Sequence, residues 1–420
     1  MKKTCKLNLA VAAAGLLCLG LAGPALAFHS GGVAECAGCH SMHTAKAGGK
    51  FLLIGTDQSS TCLNCHENSA DTGPNGYHIS TADASLGAGL SPLQRTPGGD
   101  FAWLKKNYTW MGLATAPTNV ESGDTHGHNI IAFDKRYVAD ATNATAPGGT
   151  FPAANLQCNS CHDPHGKYRR GPTGAVTSAG APIIDSGSYD TSPVPIAGQA
   201  VGAYRLLAGL GYQSTAASGV SFPGVPLAVA PSTYNRTEAV TQTRVAYGTK
   251  SGSGQAPWGQ WCSSCHGDMH TSSGKLVHPT DQNLGSSISG MYGRYVKSGN
   301  LNGTAATSYL SLVPFAQGAA NSSFANLKAN AKNDNSALGG PVSTDQVTCL
   351  SCHRAHASGF SSMLRWNNEY EFIVTDGAYL STNNTMGRTE NEWKAAYYDR
   401  PATNFATYQR GLCNKCHAKD

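Results

Sequence analysis

One pentapeptide pattern, Cys-x-x-Cys-His, recurs six times along this chain, and it limits the fold more than any other feature. The copies are Cys36-Ala-Gly-Cys39-His40, Cys62-Leu-Asn-Cys65-His66, Cys158-Asn-Ser-Cys161-His162, Cys262-Ser-Ser-Cys265-His266, Cys349-Leu-Ser-Cys352-His353 and Cys413-Asn-Lys-Cys416-His417. Together they use twelve of the fourteen cysteines. Two thiols three residues apart lie on one helical turn, where each can add to a vinyl group of a porphyrin. The histidine that follows then stands over the iron. Zinc sites instead pair C-x-x-C with a second cysteine or histidine pair at finger spacing, and need no histidine directly after the second cysteine. The pattern predicts six covalently bound haems of c type. Their proximal iron ligands are His40, His66, His162, His266, His353 and His417.

Nine histidines remain for the opposite faces of the irons: His29, His43, His78, His126, His128, His165, His270, His278 and His356. Six are needed, so every iron can be bis-histidine with three residues to spare. His43, His165, His270 and His356 follow a proximal histidine three or four positions on, in CHSMH, CHDPH, CHGDMH and CHRAH. Such neighbours share a helical face, and the porphyrin bars each from the far side of its own iron. Each therefore serves a different haem and ties the array together. His78, His128 and His278 read as loop histidines reaching in from elsewhere. His29 and His270 are the weaker candidates, and His126 reads as a residue of a polar loop that serves no iron. Saturated irons have no open position for a substrate, so the predicted chemistry is electron transfer and not catalysis.

Residues 1–27 have the form of a secretory signal. Lys2, Lys3 and Lys6 precede an apolar run, and Ala25-Leu-Ala27 supplies a small-residue cleavage site. Cys5 and Cys18, the two cysteines outside the motifs, fall within it. Losing those three lysines takes the formal charge from +5 to +2. Two propionates on each haem make the mature protein acidic, which excludes nucleic acid as a partner. The cations of Lys167-Tyr-Arg169-Arg170 read as propionate partners. No further apolar run is long enough to span a bilayer.

With 49 glycines and only 13% charged residues, the chain is poor material for long helices or broad sheets. The expected fold is mostly coil with short helices and little sheet, residues 28–420 forming one domain wrapped around a row of six haems. Each motif should sit on a short helix. Helical patterns also cover Ser322 to Lys332, Glu390 to Tyr398, and Asn404 to His417. Residues 171–199 and 214–231 read as coil. First cysteines of successive motifs lie 26, 96, 104, 87 and 64 residues apart, and no boundary separates independent cores.

The opening Phe28-His-Ser-Gly-Gly-Val-Ala-Glu-Cys36, the runs CHDPHGKYRR at Cys161 and CHRAHASGF at Cys352, the stretch Ala-Pro-Ser-Thr-Tyr-Asn-Arg at 230–236 and the ending CNKCHAKD resemble the outer-surface hexahaem cytochromes S of Geobacter-type metal-reducing bacteria. The resemblance implies an extracellular cytochrome that polymerises into filaments with a continuous haem row. It also implies bis-histidine ligation throughout, and donation of His43 to the neighbouring subunit at the haem of His353. External acceptors such as metal oxides, partner cells and other cytochromes are the partners it implies. A monomeric periplasmic or outer-surface shuttle is the alternative. A multihaem reductase for nitrite, hydroxylamine or tetrathionate is disfavoured, because no C-x-x-C-Lys variant opens an iron here.

Overall fold

The computed structural model describes residues 36–46, 50–69, 77–111, 118–234, 238, 241–250, 252–271, 278–380 and 386–417. The expected signal at residues 1–27 and His29 lie outside the described residues. Among those described, no helix is long and apolar enough to cross a membrane.

The backbone is coil punctuated by short elements. Four motifs sit on helical turns as expected: Cys36–Cys39, Gln58–His66, Cys158–Cys161 and Cys349–Cys352. The fourth motif begins on the Trp258–Ser263 helix, and the sixth lies on the 3-10 turn Leu412–Lys415. Two further expected helices are found, at Phe324–Asn330 and Glu390–Ala396. The second starts at a capping box in which Thr389 and Glu392 each satisfy the other's backbone N–H.

The helix expected over Asn404 to His417 is not formed. That segment turns at Ala402–Asn404, extends at Gln409–Arg410 and turns again at Leu412–Lys415. Gln409 pairs with Val374, and its buried side-chain amide donates to Tyr295 Oη at 2.7 Å. That anchor holds the backbone extended, whatever the local helical pattern. In the other direction, Gly285–Arg294 is a ten-residue helix that the Gly/Ser-rich sequence hid. It is held by the burial of Tyr292 and by Ser289 Oγ donating to the Gly285 carbonyl.

Five small sheets of two or three strands are present among the described residues. The largest apolar cluster gathers Trp103, Tyr108, Phe360, Trp366, Tyr379, Trp393 and Tyr397. Tyr379 and Tyr397 stack within it at 4.8 Å, and Cys352 and Cys416 pack against it. A second cluster, around Tyr204, Tyr247, Trp258 and Leu350, lies beside the third to fifth motifs. Large aromatics thus fill the space between motifs, where helix-on-helix packing would otherwise be required.

Gly99 and Gly127 bridge Ala357 from two sides. A Cβ on Gly99 would meet the Ala357 carbonyl oxygen at 1.7 Å, and one on Gly127 the His356 oxygen at 2.4 Å. Only glycine lets these two strands close on the segment that carries His356.

Candidate metal centres

The third and fifth motifs show how the sequence builds a site. Gln157 and Ser160, and likewise Thr348 and Ser351, form capping boxes around a single helical turn. The histidine that follows leaves the helix with extended dihedrals, φ −111° at His162 and φ −110° at His353. It then bridges a distant strand. The bridges are His40 with Leu53, His162 with Leu207 and His353 with Leu364. In each case the strand is entered through two consecutive left-handed residues: Phe51 and Leu52, Arg205 and Leu206, Ser362 and Met363. The carbonyl of the first member of each pair accepts the Nδ1–H of the proximal ring, at 2.8, 2.7 and 2.7 Å. His66 and His266 make the same bond to Tyr77 and Pro147, at 2.7 and 2.9 Å. With Nδ1 occupied by the proton, the lone pair sits on Nε2, the tautomer a metal needs.

Four proximal rings face a second imidazole. His40 and His165 are 6.5 Å apart between ring centroids, His162 and His356 6.3 Å, His266 and His128 5.9 Å, and His417 and His278 6.4 Å. Two imidazoles bound on opposite sides of one metal, each at about 2 Å, bring their centroids to about 6.3 Å. Direct stacking of aromatic rings reaches closer, down to about 4.5 Å. Burial, reinforced by the facing His266, holds His128 at a pKa of about 4, and burial beside His162 holds His356 at about 3. Both are neutral imidazoles at pH 7, as metal ligation requires.

The other histidines differ. His126, expected in a polar loop, is fully buried, and both its nitrogens are engaged, Nδ1 with the Trp103 carbonyl and Nε2 with Glu121. His270 Nε2 lies 3.1 Å from the Asp281 carboxylate. His78 follows directly on Tyr77, whose carbonyl holds the Nδ1 edge of His66. His43 is exposed, and its turn is preset, because Ser41 Oγ accepts from the backbone N–H of His43 and of Thr44 at 3.2 and 2.9 Å.

Successive motifs pack against one another at two places along the chain. The helix of the second motif packs on the turn of the third, and the helix of the fourth on the turn of the fifth. Guanidinium nitrogens of Arg169, Arg170, Arg354 and Arg388 are buried with no hydrogen-bond partner among the described residues. The sequence had marked Arg169 and Arg170 as cations awaiting an anion; nothing in the pattern distinguished Arg354 or Arg388.

Residues 29–71 match the family model of the doubled CXXCH motif. The full chain is 53% identical to the C-type cytochrome OmcS of Geobacter sulfurreducens, with all of both chains covered. The chain belongs to the OmcS family of c-type cytochromes. Two solved structures of that family are similar to it: the OmcS nanowires of Geobacter sulfurreducens, at a TM-score of 0.84 and 51% identity, and the Outer Membrane Cytochrome S filament of the same organism, at 0.85 and 52%. Each comparison covers 94% of this chain and 100% of the other. The few helices, small sheets and abundant coil are those of the OmcS fold, and the chain binds haem c covalently.

Proposed function

We propose that this chain is an extracellular electron carrier with six haems, all bis-histidine, that polymerises head to tail and passes electrons along the polymer to external acceptors. The four imidazole pairs at metal-bridging distance carry the reading, because each brings together histidines more than about a hundred positions apart in sequence. On this reading His165 serves the iron of His40, His356 that of His162, His128 that of His266 and His278 that of His417. Two irons remain, at His66 and His353. His126 and His270 have other partners. His78 and His29 are the candidates for the iron of His66. His43, exposed at the first motif, goes to the His353 iron of a neighbouring protomer.

Haem iron supplies a one-electron couple when bound. The protein residues hold it six-coordinate, exclude substrate from the metal and neutralise the propionates. The buried guanidinium of Arg170 and the Nε and Nη2 of Arg354, which have no hydrogen-bond partner among the described residues, suit that last task, since a carboxylate is the acceptor such groups require. Export through the periplasm accounts for the signal-like start and for haem attachment outside the cytoplasm. Intact mass and a pyridine haemochrome assay on secreted protein should count six haems, and the visible spectrum should be wholly low-spin. Four or fewer haems, or carbon monoxide binding to undamaged reduced protein, would overturn the reading.

A further inference from the structure

The fixed charge beside the haem motifs changes sign along the chain. At the fifth motif the buried Arg365 guanidinium donates from Nε to the carbonyls of Leu350 and His353, at 2.6 and 3.1 Å. Both acceptors belong to the motif itself, and one of them to the proximal ligand. At the sixth motif the cation lies inside the pentapeptide. Lys415 is buried, donates from Nζ to the Tyr295 carbonyl at 2.6 Å, and stands 4.5 Å from the centroid of the Tyr292 ring. Carbonyl oxygens, not carboxylates, hold these two cations. Their charge is solvated but not cancelled.

The earlier motifs differ. At the fourth, the Asp281 carboxylate caps the Trp258–Ser263 helix, accepting from the backbone N–H of Gly259 and Gln260 at 2.9 and 2.7 Å, with the His270 ring at 3.1 Å. At the third, the buried Asp163 accepts from the N–H of His165 and Lys167, and is opposed by Arg205, whose guanidinium donates to Tyr189 Oη at 3.2 Å. At the second, Asp57 caps the Gln58–His66 helix, and Lys135 is paired with Glu67 at 2.9 Å. Lys46, beyond the first, is paired with Asp134 at 3.7 Å. The surroundings are thus neutral or negative at the first four motifs and positive at the last two. A cation favours the reduced form of a haem, because reduction removes positive charge from the iron. One unit charge about 10 Å from a redox centre, at an effective dielectric constant of about 20, changes a one-electron equilibrium roughly tenfold, or about 59 mV.

We infer that the fifth and sixth haems are the two of highest potential in the row, set so by the buried charges of Arg365 and Lys415, and that electrons entering the chain settle first at this C-terminal pair. This rests on the proposed six-haem reading and adds to it an order of filling. Arg354, directly after His353, acts in the same direction at the fifth site through the propionate it neutralises. A chain that has taken up two electrons then holds both at the pair, and the four earlier haems stay oxidised until the pair is full. In a polymer the step recurs once in every protomer.

A reductive titration of the full-length holoprotein at neutral pH, followed in the visible spectrum, reads the order of filling. The first third of the absorbance change should titrate at least about 59 mV above the rest, a tenfold difference in the reduction equilibrium. Six haems titrating as one unresolved wave overturn the inference. Lys415→Met should move one of the two high components down by about tenfold, with six haems bound and low-spin, and Lys415→Arg should leave it in place. A Lys415→Met protein whose high phase is intact, or whose shift falls in the four-electron phase, refutes the assignment. Where Lys415→Met fails to mature, Asp281→Asn carries the test. Asparagine still caps the helix, the negative charge is gone, and one component of the four-electron phase should rise by a similar factor. An unchanged curve for that variant sinks the inference. Haem count and spin state on the same samples judge the six-haem reading separately.

Discussion

At the scale of the residue, what matters is which nitrogen each histidine leaves available. His126 and His128 stand two positions apart, yet the first spends both nitrogens on Glu121 and Trp103 and the second spends only Nδ1, on the Ala355 carbonyl at 2.7 Å. His126→Ala should keep every haem low-spin and the protein able to polymerise. It strands the buried Glu121 carboxylate beside Arg388 with one partner fewer, so a loss of about 2–4 kcal/mol in denaturant unfolding is expected. Gly127→Ala should have the opposite signature. Its Cβ has no room beside the His356 oxygen, so the two segments that carry His128 and His356 and meet at Gly127 and Ala357 must move apart. A high-spin component in the visible and EPR spectra is expected, worth up to two of the six irons. The histidine at the end of each motif was legible as one half of a candidate site, and the other half from a count of histidines. Which imidazole pairs with which was not legible, because the pairs join residues more than about a hundred positions apart and no local pattern encodes that distance.

At the scale of the element, the helices that matter are one turn long, too short to be stable alone. They persist because Thr348 and Ser351, or Gln157 and Ser160, satisfy the orphan N–H groups at their start. Ser351→Ala breaks one such box and should cost about 1 kcal/mol, read as a lower denaturant midpoint with haem content unchanged. Capping of this kind can be read from sequence in hindsight, as Thr-Cys-x-Ser-Cys-His. The left-handed pairs cannot. Leu52, Leu206 and Met363 have φ of 57°, 54° and 57°, a conformation their side chains disfavour. It is imposed by the bridge to the proximal histidine, a tertiary contact that overrides local preference. The same override extended residues 409–410, where a helix was expected, and the Gly/Ser-rich helix at residues 285–294 depends on the burial of Tyr292 in the same way.

At the scale of the whole molecule, the coil reading of residues 171–199 and 214–231 holds apart from the strands Val176–Thr177 and Leu227–Val229 and the 3-10 turn Thr215–Ala217. A glycine-rich chain of this length with so little regular structure needs its cofactors as interior. Protein made without the haem-attachment machinery should therefore scatter as an expanded chain and show no cooperative unfolding. His43→Ala should retain six haems, leave the His353 iron open as a high-spin fraction of about one in six, and assemble poorly. Normal filaments from a fully low-spin variant would place the bridging ligand elsewhere. The imidazole pairs also have a meaning in polymer terms. With iron between them, His40–His165, His128–His266, His162–His356 and His278–His417 each close a loop of more than about a hundred residues, where cross-linking is worth on the order of 4–5 kcal/mol. The loops overlap in sequence, each beginning before the previous one has ended. The backbone from 40 to 417 is then a linked chain mail in which no loop can open far without the next, and a covering of coil can melt as one body.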